Sequence, residues 1–143
     1  WQSEPTVAPQ ASDLVVIFFG ANDMNTGVAS IVSDLTLLGL TTVTSAEYEA
    51  NLGWFLENYP GQQQVVVYPW RWIGGFGVPG LPVSELVYLE YRDAAASAAA
   101  AAGATFVDLG ALAPDASAYI ADVIHPNALG HDFIADAITN ALA

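Results

Sequence analysis

The sequence predicts a single α/β domain built on a parallel β-sheet. Three apolar runs have the length and residue types of buried strands, and two stretches with helical spacing lie between them. Strands that alternate with helices are joined by right-handed crossovers, which place helices on both faces of a parallel sheet. A chain of 143 residues is long enough to bury one core of this kind.

Each predicted strand is closed by a residue that interrupts regular structure. Residues 13–19 contain six consecutive apolar side chains before Gly20, and we expect this strand to be buried on both faces. The second strand covers residues 64–68 and the third residues 104–109, and each is followed directly by proline or glycine. We expect the three strands to be parallel neighbours in one sheet.

The spacing of apolar residues predicts three helices. Residues 44–59 begin with a threonine three positions before a glutamate, which is the order of a capping box. A second helix is predicted over residues 84–102. Its last part belongs to an alanine-rich run, residues 94–104, which we expect to form helix surface. Residues 127–142 have apolar side chains on one side and predict a terminal amphipathic helix.

Composition narrows the range of partners and of chemistry. The chain has 15 acidic against 2 basic side chains, and its net charge of −13 argues against nucleic acids and anionic lipids as partners. It has no cysteine, which excludes thiolate nucleophiles and disulfides and leaves the cellular compartment open. No histidine or carboxylate cluster has the spacing of metal ligands, so we expect neither a metal nor another cofactor. No apolar run approaches the roughly 18 residues of a membrane span.

Two polar motifs are predicted at the carboxyl edge of the sheet. Gly20-Ala-Asn-Asp23 directly follows the first strand, and Asp122-Val-Ile-His125 precedes the last helix. An aspartate three residues before a histidine can accept its Nδ1–H, so Asp122 can orient His125 as a general base. The side chain of Asn22, just beyond a strand, can direct its NH₂ group toward a developing oxyanion.

Both motifs resemble those of the SGNH (GDSL-type) hydrolases. Gly20-Ala-Asn-Asp23 is similar to the family's Gly-x-Asn-Asp block, and Asp122-Val-Ile-His125 with the following Pro-Asn-Ala-Leu-Gly-His is similar to its Asp-x-x-His block. The resemblance implies a flavodoxin-like three-layer α/β/α fold and a serine esterase or deacetylase that acts on acylated carbohydrates or lipids. It also implies that Asn22 is an oxyanion donor, His125 the general base and Asp122 its orienting carboxylate.

The sequence departs from the family in lacking the N-terminal Gly-Asp-Ser block, which carries the nucleophilic serine, and the block of a further oxyanion glycine. Only Ser3 and Ser12 precede the motif at Gly20, and Ser12 lies at the amino end of its strand, roughly 20 Å from the carboxyl edge. Ser30 and Ser33 follow the motif, but neither sits on a tight strand-to-helix turn. The nucleophile is therefore expected to come from outside these residues.

These departures predict an incomplete domain. A sheet of three strands would leave one apolar strand edge without a partner. We therefore interpret residues 1–12 as a tail and residues 13–143 as a partial SGNH domain, incomplete at its N-terminus. A preceding segment or another chain would complete the sheet.

The loop after the second strand, residues 68–82, is expected to lie at the ligand edge of the sheet. It contains four glycines and three prolines after its first residue, which excludes regular structure. We predict that Trp70 and Trp72 contact the substrate, although they can equally belong to an interface or a core lid.

Each motif also has a purely structural interpretation. Gly20-Ala-Asn-Asp23 can be an ordinary turn, and the pair Asp122 and His125 can be a hydrogen bond at a helix start. We expect His131 to be a helix-surface or packing residue. The competing functional hypothesis is a catalytically inactive SGNH-like module in a larger assembly, such as a phage tail or a cell-surface protein.

Overall fold

A parallel β-sheet with helices on both faces forms the centre of the structure. The computed structural model describes residues 13–20, 43–59, 61, 63–71, 85–122 and 125–143. Within them the sheet has three strands in the order β1-β2-β3, namely β1 (Leu14–Ile17), β2 (Gln63–Tyr68) and β3 (Thr105–Asp108). Both neighbouring pairs are parallel, so the predicted α/β fold with a parallel sheet is confirmed.

Four helices are described. Helix α1 (Ser45–Asn58) lies between β1 and β2 in the chain, and α2 (Glu85–Ala102) lies between β2 and β3. The single-turn helix α3 (Leu109–Leu112) follows β3 directly, and α4 (Ala128–Leu142) ends the chain. Apart from α3, which the sequence did not predict, each element lies within two residues of its predicted bounds.

Alternation of side chains along the strands creates two apolar layers. Ile17, Val66 and Tyr68 face α1 and α2 in one layer. Val65, Val67 and Val107 face the opposite side, where buried residues of α4 and of the segment before it cover them. The sheet is therefore the middle of three layers.

One face of the alanine-rich part of α2 is buried in the core, contrary to the expectation that this part forms helix surface. Ala94, Ala95, Ala98 and Ala99 are buried against α1 and the sheet, and the intervening positions face solvent. The spacing of these four residues matches one face of an α-helix. Their single-carbon side chains allow α2 to approach its neighbours closely.

Strand β1 is buried on one face, and the expectation that it is buried on both was wrong. Val15 and Ile17 face the layer of α1 and α2. Leu14, Val16 and Phe18 are 40–47% exposed on the opposite face. The physical reason is the position of α4, which packs against β3 and leaves this face of β1 uncovered by the described helices.

The predicted capping box begins α1. The backbone N–H of Glu47 donates to Oγ1 of Thr44 at 3.2 Å, and the backbone N–H of Thr44 donates to Oε2 of Glu47 at 2.8 Å. Hydrogen bonds from the backbone and hydroxyl of Thr44 lower the pKa of the Glu47 carboxyl below its usual value. Two otherwise unpaired donors of the first turn are thus satisfied.

Thr44→Ala is expected to lower the free energy of unfolding by about 1 kcal/mol, because it removes the hydroxyl of the box.

The contribution of the Glu47 carboxylate to the free energy of unfolding should depend on pH. It should be complete above the pKa of the unfolded state and disappear as pH falls through the lowered pKa of the folded state. Urea unfolding of wild type and Glu47→Gln across this acid range measures the effect, and the two curves should converge in acid. Thr139→Ala, on the exposed face of α4, is the control. A constant difference at all pH values would contradict the prediction.

None of the helices in these described ranges combines the length and apolarity needed to cross a bilayer.

Candidate active site

The aspartate and histidine of the second motif lie in contact just before α4. Nδ1 of His125 is 2.6 Å from Oδ2 of Asp122, so the hydrogen bond predicted between these side chains is present. The backbone N–H of His125 donates to the other oxygen, Oδ1, at 2.8 Å. Because one residue engages both oxygens, the carboxylate has little freedom to rotate, and the imidazole is held at its Nδ1 side.

The segment that carries His125 is closed by backbone hydrogen bonds. The N–H of Ala121 donates to the carbonyl of His125 at 2.8 Å, and the N–H of Asn127 donates to the carbonyl of Tyr119 at 2.9 Å. Ile120 and Pro126 form an isolated antiparallel bridge between these contacts. His125 therefore lies in a loop whose two ends are joined by backbone hydrogen bonds.

Asn127 joins this loop to α4, a role that the sequence analysis missed. Its Oδ1 accepts the N–H of Gly130 as the helix N-cap, and its Nδ2 donates to the carbonyl of Ala118, each at 2.9 Å. Gly130 itself leaves no room for a side chain, because a Cβ there would collide with the carbonyl of Tyr119. An asparagine directly before an apolar helical pattern is the sequence signal for this cap.

The second nitrogen of His125 remains available for chemistry. The side chain of His125 is 69% exposed and that of Asp122 is 52% exposed. Within the described residues Nε2 of His125 forms no hydrogen bond. When Asp122 accepts the Nδ1 proton, Nε2 carries the lone pair and can accept a proton from a hydroxyl group.

Trp70 lies in the core beneath this loop. Its side chain is 3% exposed, and its ring stacks on that of Tyr119 at 5.8 Å with an interplanar angle of 4°. The centroid of the Phe133 ring, on α4, lies 5.8 Å from that of Trp70 in the same apolar cluster. Nε1 of Trp70 is buried and forms no hydrogen bond with the described residues. Trp70 thus supports the loop of His125, and its substrate contact stays a prediction.

Several predicted site residues lie outside the described residues. These are Asn22, Trp72 and the serines at positions 3, 12, 30 and 33. The expected approach of Nε2 of His125 to Asn22 therefore stays a prediction.

The described serines do not supply a partner for His125. Ser45 donates to Oε1 of Glu90 at 2.6 Å, Ser97 lies within α2, and Ser117 lies in the turn that follows Asp115. None of their hydroxyls forms a hydrogen bond with His125. A nucleophile for this base is thus not found among the serines of the described ranges.

The other polar residues considered from the sequence have structural positions. His131 is exposed on α4, as predicted. Asp108 caps α3 by accepting the N–H of Ala111 at 3.0 Å. In the part of the chain that the structure describes, no three side chains of histidine or carboxylate type come together as metal ligands.

Solved structures share this fold. Axe2, an acetylxylan esterase from Geobacillus stearothermophilus, is 24% identical with a TM-score of 0.63, over 93% of this chain and 60% of that one. LAE5, an α/β hydrolase from the metagenome of Lake Arreo, is 24% identical with a TM-score of 0.62, over 92% and 60% of the two chains. A protein from Parabacteroides merdae described as a GDSL-like lipase is 22% identical with a TM-score of 0.61, over 90% and 59%. The chain thus spans about 60% of the length of these structures.

A family model matches most of the chain. No curated protein gives a significant match to this sequence. The model of the GDSL-like lipase/acylhydrolase family matches residues 1–133, which include both Gly20-Ala-Asn-Asp23 and the pair Asp122 and His125. This chain belongs to the GDSL-like lipase/acylhydrolase family.

Proposed function

We propose that this chain provides the base, the orienting carboxylate and one oxyanion donor of a serine esterase. The observation that carries the proposal is the hydrogen bond of 2.6 Å between Nδ1 of His125 and Asp122, with Nε2 directed to no other described residue. In a member of an acylhydrolase family this geometry suits proton transfer from a serine hydroxyl. The side chain of His125 is 69% exposed, so a hydroxyl group can reach its Nε2.

The proposed reaction proceeds through an acyl-enzyme. Nε2 of His125 accepts the proton of the serine hydroxyl while the serine oxygen attacks the acyl carbon. Asp122 stabilises the imidazolium that forms, and the side-chain NH₂ of Asn22 donates to the oxyanion. Collapse breaks the ester bond, and the leaving alkoxide takes the proton from His125. Water, activated by the same nitrogen, then hydrolyses the acyl-serine.

The nucleophilic serine is proposed to come from a segment outside this sequence or from another chain. Two observations support this: the chain spans about 60% of the length of similar structures, and the described serines do not contact His125. The same segment would pair with the outer edge of β1, the first strand of the described sheet, and cover the exposed face formed by Leu14, Val16 and Phe18. It would then complete both the sheet and the triad.

The substrate is proposed to be an acetyl ester of a carbohydrate, with an acyl ester of a lipid as the alternative. Similarity of the fold to an acetylxylan esterase favours the carbohydrate ester. The net charge of −13 favours a neutral substrate, because the field of the protein repels anionic headgroups. No metal or other cofactor is needed for this reaction.

The proposal is tested by comparing the 143-residue chain with a form extended by the residues encoded before Trp1. We expect the extended form to hydrolyse p-nitrophenyl acetate and acetylated xylo-oligosaccharides and to react with a fluorophosphonate probe. The 143-residue chain alone should do neither, because a triad stripped of its nucleophile retains only a small residual rate. p-Nitrophenyl palmitate, tested alongside, distinguishes the lipid alternative.

Two results would contradict the proposal in different ways. Labelling and turnover by the 143-residue chain alone would overturn the external serine and point to Ser30 or Ser33. Inactivity of both forms would contradict an esterase completed by the preceding segment and favour a non-catalytic module of a larger assembly.

A further inference from the structure

The carboxyl ends of β1 and β2 are each held by a tyrosine from the helix that follows. The hydroxyl of Tyr48 donates to the carbonyl of Phe19 at 3.1 Å, just beyond the end of β1. The hydroxyl of Tyr88 donates to the carbonyl of Pro69 at 3.0 Å, just beyond the end of β2. Each tyrosine is the fourth residue of its helix, α1 or α2. The same contact thus occurs twice at this edge of the sheet.

A glycine accommodates each hydroxyl. Gly20 follows Phe19 with a φ of +114°, and a Cβ on it would lie 2.5 Å from the oxygen of Tyr48. Gly110, after β3, likewise has the Tyr88 hydroxyl where its Cβ would be. A side chain at position 20 would be strained by the backbone and would also displace the Tyr48 hydroxyl. The position of the Tyr48 hydroxyl therefore requires a glycine at residue 20.

The Tyr48 ring has little freedom to leave this position. It is buried between α1, α2 and the sheet, and its centroid lies 5.6 Å from that of Tyr91. The hydroxyl of Tyr91 donates in turn to the carbonyl of Val43, two residues before α1. Tyr48 and Tyr91 thus each bond a backbone carbonyl, and of these two the carbonyl bonded by Tyr48 lies at a strand end.

We infer that Tyr48 is a positioning residue for ester hydrolysis, because its hydroxyl holds the backbone from which the motif Gly20-Ala-Asn-Asp23 begins. The inference rests on the proposed function, in which Asn22 donates to the oxyanion. Asn22 is two residues beyond Gly20, so displacement of the Phe19 carbonyl or of Gly20 changes the start of the motif. Catalytic donors must be placed to within a fraction of an ångström, and a small misplacement has a large effect on rate.

The test uses Tyr48→Phe in the extended, active form of the protein, with Tyr91→Phe as the matched control. Each variant keeps its ring and loses one buried hydroxyl bonded to a backbone carbonyl, so both should fold with similar losses of melting temperature. Tyr48→Phe should lower kcat for p-nitrophenyl acetate about tenfold or more, with little change of KM. Tyr91→Phe should leave kcat close to that of the wild type.

A second measurement separates positioning from general loosening. Hydrogen exchange of a peptide that covers residues 18–23 should increase in Tyr48→Phe and not in Tyr91→Phe, while exchange in β3 stays unchanged in both. Equal kcat values in the two variants, or unchanged exchange at residues 18–23, would overturn the inference and leave the proposed function intact. Inactivity of the extended wild-type protein would contradict the proposed function itself, and the positioning role with it.

Discussion

Replacing His125 by alanine is expected to lower kcat for acetyl ester hydrolysis by about 10⁴-fold in the form of the protein that carries the serine. Without Nε2 the serine hydroxyl keeps its proton and remains a weak nucleophile. KM should change little, because the imidazole acts mainly in the transition state. Steady-state rates with p-nitrophenyl acetate measure both parameters.

Asp122→Asn should produce a loss of similar size, about 10⁴-fold, although the side chain keeps its shape. An amide in this position donates to Nδ1 of His125 and favours the tautomer that carries its proton on Nε2. That nitrogen then cannot accept the serine proton. His131→Ala, on the exposed side of α4, is the control and should behave as the wild type. Substantial turnover by His125→Ala would show that another base operates.

Trp70→Ala is expected to lower the free energy of unfolding by about 3–5 kcal/mol. The substitution removes a ring that is 3% exposed and leaves a cavity beneath Tyr119 and Phe133. Trp70→Phe should cost much less, since it keeps part of the packing and removes an indole N–H that has no partner among the described residues. Urea unfolding followed by circular dichroism measures both losses.

The half-buried Trp54 on α1 serves as the control for Trp70, and its replacement by alanine should have a smaller effect. The predicted substrate contact of Trp70 can be tested with the same variants. A rise of KM for a bulky ester beyond that for acetate in Trp70→Phe would support the contact. If Trp70→Phe changes KM equally for both esters and Trp70→Ala greatly lowers the free energy of unfolding, Trp70 belongs to the core alone.

The parallel direction of the strands could be predicted from the sequence because the pattern is local. Residues 13–19 and 64–68 are continuous apolar runs, and the helical spacing between them leaves a parallel crossover as the one connection that fits. The exposed face of β1 could not be predicted in this way. It depends on where α4 packs, and the sequence of α4 specifies which of its faces is apolar but not which strand it covers.

The same distinction between local and long-range contacts applies to the candidate site. The bond between Asp122 and His125 joins residues three positions apart, so spacing alone predicts it. The bond from Tyr48 to Phe19 joins residues 29 positions apart on two elements. From the sequence Tyr48 is one more apolar position in an amphipathic helix, and only the packing of α1 on the sheet shows where its hydroxyl lies.

The pairing of the strands has a consequence for the way this chain folds. Leu14 pairs with Gln63 and Val65 pairs with Thr105, so each strand pair closes a loop that includes a whole helix. The entropy of closing these loops is spent before the ladder hydrogen bonds form, which slows the folding of parallel sheets. The alanine-rich α2, with its high helix propensity, needs no such closure. Its helical turns can form early and provide a surface on which β2 and β3 are brought together.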